Sequence, residues 1–177
     1  MRPASLRGSS DSGPAAPGLA VNCTVLLLIA ALIWWADRAC KQWAVGQGPE
    51  RHVLLPGVLS TTLAANTGAT FGLFTGKALL LAGLSVLILA AIVVLWWFEG
   101  RTRAASSAAV GLLVGGALGN LYDRVALGFV VDFLRFDFLP WWPAFNVADA
   151  ATVAGVALVA LGLALPRPKQ RALEGEP

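Results

Sequence analysis

The stretch ALLLAGLSVLILAAIVVLWWF, residues 78–98, contains no ionisable side chain. A helix rises about 1.5 Å per residue, so this run is long enough to cross the roughly 30 Å hydrocarbon layer of a bilayer. Three more apolar runs occupy residues 19–36, 104–121 and 147–165. Hydrophobic residues make up 57% of the 177 and charged ones 13%, against roughly 45–50% and about 25% in an ordinary soluble domain. The pattern predicts a membrane all-α fold of four transmembrane helices. The third run carries Ser106, Ser107 and several glycines, as suits a helix packed among helices through small-residue contacts.

Four spans put both termini on one side of the membrane. If that side is cytoplasmic it holds Arg2, Arg7, Arg101, Arg103, Arg167, Lys169 and Arg171, seven cations, against Arg38, Lys41, Arg51, Lys77, Arg124 and Arg135, six, on the other. Several of the six stand beside acids, whereas the seven lie in a short loop and two tails, so both termini are expected in the cytoplasm. The organisation expected is a disordered tail at 1–18, a four-helix domain at 19–165 and a second tail at 166–177. No small-x-small site follows the first run, where Asp37 and Arg38 stand instead, so it reads as an uncleaved helix. Cys23 and Cys40 are 17 residues apart on one predicted helix, about 25 Å, so no disulfide joins them.

Between the first two spans, VLLPGVLSTTLAANTGATFGLF sets Pro and Gly among β-prone residues. This predicts a small extracytoplasmic β cradle between helices 1 and 2. The segment 124–146 begins extended, as GFVVDFLRF, and ends in FLPWWPAF, whose Phe138, Trp141, Trp142 and Phe145 fit an aromatic belt at the headgroups.

Polar residues recur at helical spacing near one face. Asp37 and Lys41 are four apart, Asn120 precedes Asp123 by three and Arg124 by four, and Asn146 precedes Asp149 by three. Helix caps and snorkelling charges account for such residues taken singly. Arg38, Glu50, Arg51 and His52 read as solvated loop residues. Asp132, inside the apolar run 129–134, and Asp149, at the start of a membrane helix, are different, because an acid in a membrane is a functional-site suspect by default. Two carboxylates brought together share a proton. That pair suits aspartic peptidase chemistry, in which one acid activates water and the other protonates the carbonyl oxygen. It suits equally a proton relay in a small transporter or channel, or a simple helix cap. Asn66, Gly68 and Phe71 in ANTGATFG read either as a turn or as a loop reaching over the acids. One histidine and two distant cysteines make no metal site, no cofactor is implied, and no basic patch interleaved with aromatics points to nucleic acid.

An ordered set of motifs resembles lipoprotein signal peptidase (signal peptidase II), an aspartic peptidase family of bacterial membranes: DRACK with Asp37 and Lys41, NTGATFG with Asn66, Gly68, Phe71 and Gly72, GGALGNLYDR with Asn120, Asp123 and Arg124, GFVVDF with Asp132, and FNVADA with Asn146 and Asp149. Cys40 and Thr70 depart from the residues usual in that family. The resemblance implies a catalytic dyad of Asp132 and Asp149. It gives Asn66, Gly68, Asn120, Arg124 and Asn146 a role in holding substrate or dyad, and Asp37, Lys41 and Asp123 a structural or supporting one. It also implies a short periplasmic helix in the aromatic segment before Asn146. The implied substrate is a diacylglyceryl prolipoprotein, cut just before its lipidated Cys by a metal-free monomer in the bacterial inner membrane.

Overall fold

The computed structural model describes residues 18–68, 74–100 and 104–164. Four helices, α1 (Leu19–Gln47), α2 (Ala78–Leu95), α3 (Ala104–Ala126) and α4 (Val147–Ala164), accompany three strands, β1 (Val53–Leu55), β2 (Leu59–Asn66) and β3 (Val130–Phe136). Three helices are long and apolar enough to cross a membrane, over Leu19–Gln47, Ala78–Phe98 and Ala105–Ala126, and α4 offers a shorter apolar stretch, Val147–Gly162. Apart from Gly18, the expected tails lie outside the described residues, as do Phe71 and Gly72.

Helix α1 runs past the apolar run that ends at residue 36, and past Cys40, which the sequence already placed on it, to Gln47. The drop in hydropathy at Asp37 does not stop it, because helices end where the backbone is told to turn. Gly48 does that, at φ 83°, with its N–H returning to the Val45 carbonyl at 3.2 Å. Asp37, Arg38 and Lys41 are therefore helical. Helix α2 ends in a π-helical turn, Trp96–Gly100. Buried Trp96 donates its indole N–H to Ser107 on α3 at 3.2 Å and packs with Leu26 and Val110.

Helix α3 lies at the centre, touching α1, α2 and α4. A Cβ on Gly115 would stand 2.7 Å from the Ala30 carbonyl oxygen of α1, and one on Gly116 2.5 Å from the Ala148 carbonyl oxygen of α4. Only glycine permits approach that close, and van der Waals contact is what binds helices in lipid.

The strands form one antiparallel sheet in the order β1-β2-β3. Pro56 and Gly57, the latter at φ 70°, make the turn between β1 and β2, closed by Val58 N–H to the Leu55 carbonyl at 3.0 Å. The register pairs Ser60 with Arg135, Ala64 with Asp132 and Asn66 with Val130, with a bulge between Thr61 and Ala64. The cradle is thus not confined to the segment between helices 1 and 2, because its third strand follows α3. The short helix implied before Asn146 is absent too. Pro140 and Pro143 remove backbone donors there, and Phe145 instead exchanges two hydrogen bonds with Leu134 of β3, at 2.8 and 2.9 Å.

Candidate active site

Asp132 comes from β3 and Asp149 from the first turn of α4. The link between them is Asn146, which caps α4. Its Oδ1 accepts the Asp149 N–H at 2.9 Å, while the Asn146 N–H donates to Asp149 Oδ2 at 3.1 Å. This is a reciprocal capping box, which satisfies an orphan helix donor and aims the carboxylate back over the helix start. The Asn146 amide nitrogen also donates to Asp132 Oδ1 at 2.7 Å, so one residue holds both acids. Asn120 completes the bridge: its Nδ2 donates to Asp149 Oδ1 at 2.8 Å, and its Oδ1 accepts from Asn146 Nδ2 at 3.0 Å and from Lys41 Nζ at 3.1 Å.

Asn66 reaches in from the end of β2, donating to Asp132 Oδ2 at 3.0 Å and accepting the Gly68 N–H at 3.0 Å. Its side chain thereby turns the chain after β2 while touching the acid. Arg124 lies one helical turn beyond Asn120, with its guanidinium near the Gly68 carbonyl at 3.5 Å. Asp132 is 2% exposed. Desolvation by burial, and next the negative charge of Asp149, push its carboxyl up to about 7 from 3.8, against the opposing pull of the Asn66 and Asn146 amides and the Lys41 ammonium. A carboxyl poised there can hold a proton near neutrality or give it up, as acid–base work requires.

Beneath the pair lies a buried ionic cluster. Lys41 Nζ stands 2.7 Å from Asp37 Oδ2 and 2.8 Å from Asp123 Oδ2, and Arg38 pairs with Asp123 Oδ1. Two acids face two cations, which is how charges survive burial. The acids also hold backbone: Asp37 Oδ1 accepts the Ala148 N–H of α4 at 3.0 Å, and Asp123 Oδ2 the Val131 N–H of β3 at 3.1 Å. Each bond seizes the residue just before a member of the pair. The cluster thus sets the positions of Asp132 and Asp149 without touching them.

Every described residue proposed from the sequence for this site is therefore found within it. Arg38 is the correction, for it is no solvated loop residue. It lies on α1 with its guanidinium 4.3 Å from the centre of the Tyr122 ring and its charge on Asp123. Its spacing of three from Lys41 was the available signal, once the helix is known to continue. Also unforeseen is a cavity of about 210 Å³ between α2, α3 and α4. Ile88, Leu89, Ile92 and Leu113 line one part, and Asn120, Arg124 and Asp149 another. Nothing in an all-apolar helix distinguishes such a wall from a lipid-facing surface. Among the described residues no group of His, Cys, Asp and Glu is arranged to hold a metal ion.

The chain is similar in sequence and fold to known proteins. A family model described as signal peptidase (SPase) II matches residues 29–165. A lipoprotein signal peptidase of Syntrophomonas wolfei is 40% identical over 125 residues, 70% of this chain and 81% of that protein. One from Pseudomonas fluorescens is 37% identical over 145 residues, 77% of this chain and 85% of that protein. A solved bacterial membrane enzyme superposes with a TM-score of 0.75 at 30% identity, covering 80% of this chain and 88% of its own.

Proposed function

The chain belongs to the signal peptidase II family, and on that premise we propose that Asp132 and Asp149 are its catalytic pair, cutting a diacylglyceryl-modified prolipoprotein just before the lipidated cysteine. The protein is a protease of multi-pass membrane type, and removal of signal peptides from prolipoproteins is its reaction. Family membership supports a peptidase over the transporter or channel alternative. One observation carries the residue assignment: Asn146 donates to both acids, by its amide to Asp132 and by its backbone to Asp149.

In the proposed reaction one carboxylate takes a proton from a water as its oxygen attacks the peptide carbonyl carbon. The other, protonated, gives its proton to the carbonyl oxygen. Collapse of the tetrahedral species returns a proton to the leaving nitrogen. The pair titrates as a unit, so the roles belong to the dyad rather than to either residue. Asn66, Asn120 and Asn146 fix the carboxylates, and Arg124 and Gly68 flank the space where a peptide would lie. The apolar wall of the cavity, opening beside Asp149, suits a substrate whose cut lies between a hydrophobic signal segment and a lipid-bearing cysteine. Both acids and their three amide partners come from one chain, so a single copy is sufficient for the site. In this reading four spans place the site at the extracytoplasmic face, with both termini inside.

The test is cleavage of a diacylglyceryl prolipoprotein by purified protein, followed as a gel shift. Asp132→Asn and Asp149→Asn, each checked for folding, are expected to fall by at least about 100-fold, the usual scale of general acid–base catalysis. Full activity in either variant removes that residue from the dyad.

A further inference from the structure

At the end of the sheet away from Asn66, Arg51, Arg135 and Asp137 line a second cavity, of about 210 Å³. We propose that this hollow binds the phosphate of an anionic phospholipid headgroup. Asp137 Oδ1 accepts from Arg51 at 2.7 Å and from the Ser60 hydroxyl at 2.7 Å, and Arg51 Nε donates to Ser60 at 3.1 Å. The Ser60 hydroxyl, and after it the Arg51 guanidinium, hold the Asp137 carboxyl below the usual carboxylate range despite partial desolvation, so it is ionised and engaged with Arg51. Arg135 stands opposite Ser60 in the register. Its charge also acts on Asp137, but among the described residues it forms no salt bridge, and its hydrogen-bond acceptor is the Pro140 carbonyl at 3.4 Å. Two guanidiniums therefore share one carboxylate around a hollow, leaving one positive charge and several forked donors unmatched. Planar guanidinium pairs with tetrahedral oxyanions through such donors.

The surroundings choose the anion. Val53, Leu54 and Leu55 of β1 are all exposed, as are Val58 beyond the turn and Phe138 and Trp141 beyond β3. Such apolar and aromatic surface beside a cationic hollow fits the boundary of headgroups and acyl chains. An anion that arrives there with its tails already in the layer is a phospholipid. The hollow is separate from the dyad, because Arg135 lies three residues along β3 from Asp132, about 10 Å, and alternation points the two to opposite faces. The proposal thus stands whether or not the peptidase assignment does.

Native mass spectrometry of the full-length protein tests it, from micelles doped with equal amounts of phosphatidylglycerol and a neutral glucosyl diacylglycerol of the same chains. Wild type is expected to retain phosphatidylglycerol preferentially, and Arg135→Gln to lower that retention about fivefold, the worth of one guanidinium near a membrane surface. Asp137→Asn, which removes the competing carboxylate, is expected to leave retention equal or higher. Arg135 is exposed and forms no salt bridge among the described residues, so its variant is expected to keep the fold, and a thermal melt verifies that. Equal retention of the two lipids, or an unaltered Arg135→Gln, overturns the proposal. Equal retention of the two lipids, with millimolar inorganic phosphate still raising the thermal melt of wild type but not of Arg135→Gln, likewise overturns it and assigns the hollow to free anions.

Discussion

Asp132 prefers its proton in the fold because burial and Asp149 both penalise its charge. Its folded value, about 7, lies above the ordinary 3.8, so the stability it lends is whole at pH below about 4 and is lost as pH rises through about 7. Thermal unfolding in detergent is therefore expected to show wild type losing stability between pH 5 and pH 8, by up to about 1.4 kcal/mol per pH unit for one proton. Asp132→Asn should flatten that slope, and parallel slopes would mean that the carboxyl is not desolvated as described. In the proposed mechanism the same proton serves the chemistry, so cleavage is expected to decline on the alkaline side of neutrality. Arg38 makes the opposite kind of contribution, holding a buried carboxylate charged. Arg38→Gln leaves Asp123 with Lys41 alone, itself shared with Asp37. Breaking a buried pair costs about 3–5 kcal/mol, but Arg38 is 20% exposed, so a loss of about 1–3 kcal/mol is expected in the same melt. Arg38→Lys should recover part of it, since a lysine restores charge but neither the fork nor the stack on Tyr122.

Helices and strands in this chain answer to different information, which decides how much of each was legible in the sequence. The apolar runs and the spacings within each motif are local, and they pointed to the helices and to Asp132, Asp149 and their asparagines, because polar groups stand out in an apolar run. The end of α1 was legible only in part: the i, i+4 spacing of Asp37 and Lys41 carries the helix past the apolar run, but its last turn ends at Gly48, a glycine that nothing local singles out among the others of that loop. Not legible was the third strand, whose pairing joins segments on either side of two membrane helices. The glycines of α3 sit between these cases: their number suggested packing, but only the fold says which face each serves. Gly115→Ala would place a methyl 2.7 Å from the Ala30 carbonyl oxygen, and a loss of about 1–3 kcal/mol is expected from forcing α1 and α3 apart. Gly83, inside α2, has open space where its Cβ would be. Gly83→Ala should gain about 0.5–1 kcal/mol from helix propensity. Equal responses of the two variants in thermal unfolding would mean that α1 and α3 do not approach as closely as the fold requires.

Across the whole molecule, the site's depth follows from where charge begins on α1. Leu19 to Ala36 is an apolar helix of about 27 Å, close to the hydrocarbon thickness, and Asp37 follows at once. The cluster of Asp37, Lys41 and Asp123 thus marks one membrane boundary, and the pair of acids anchored on it lies at that boundary rather than midway. Which boundary depends on orientation. Of the six cations on the dyad's side, Arg38, Lys41 and Arg51 are paired with acids in the fold, so their presence there reflects the site rather than retention in the cytoplasm. The seven on the other side lie by sequence in a short loop and the two tails, apart from the motifs, which favours cytoplasmic termini. A green fluorescent protein fused after residue 177 is therefore expected to fluoresce, and an alkaline phosphatase at the same place to be inactive. A phosphatase inserted at the Pro56–Gly57 turn should be active. The reverse pattern would place Asp132 and Asp149 on the cytoplasmic surface, where a signal peptide already translocated could not present its cleavage site to them.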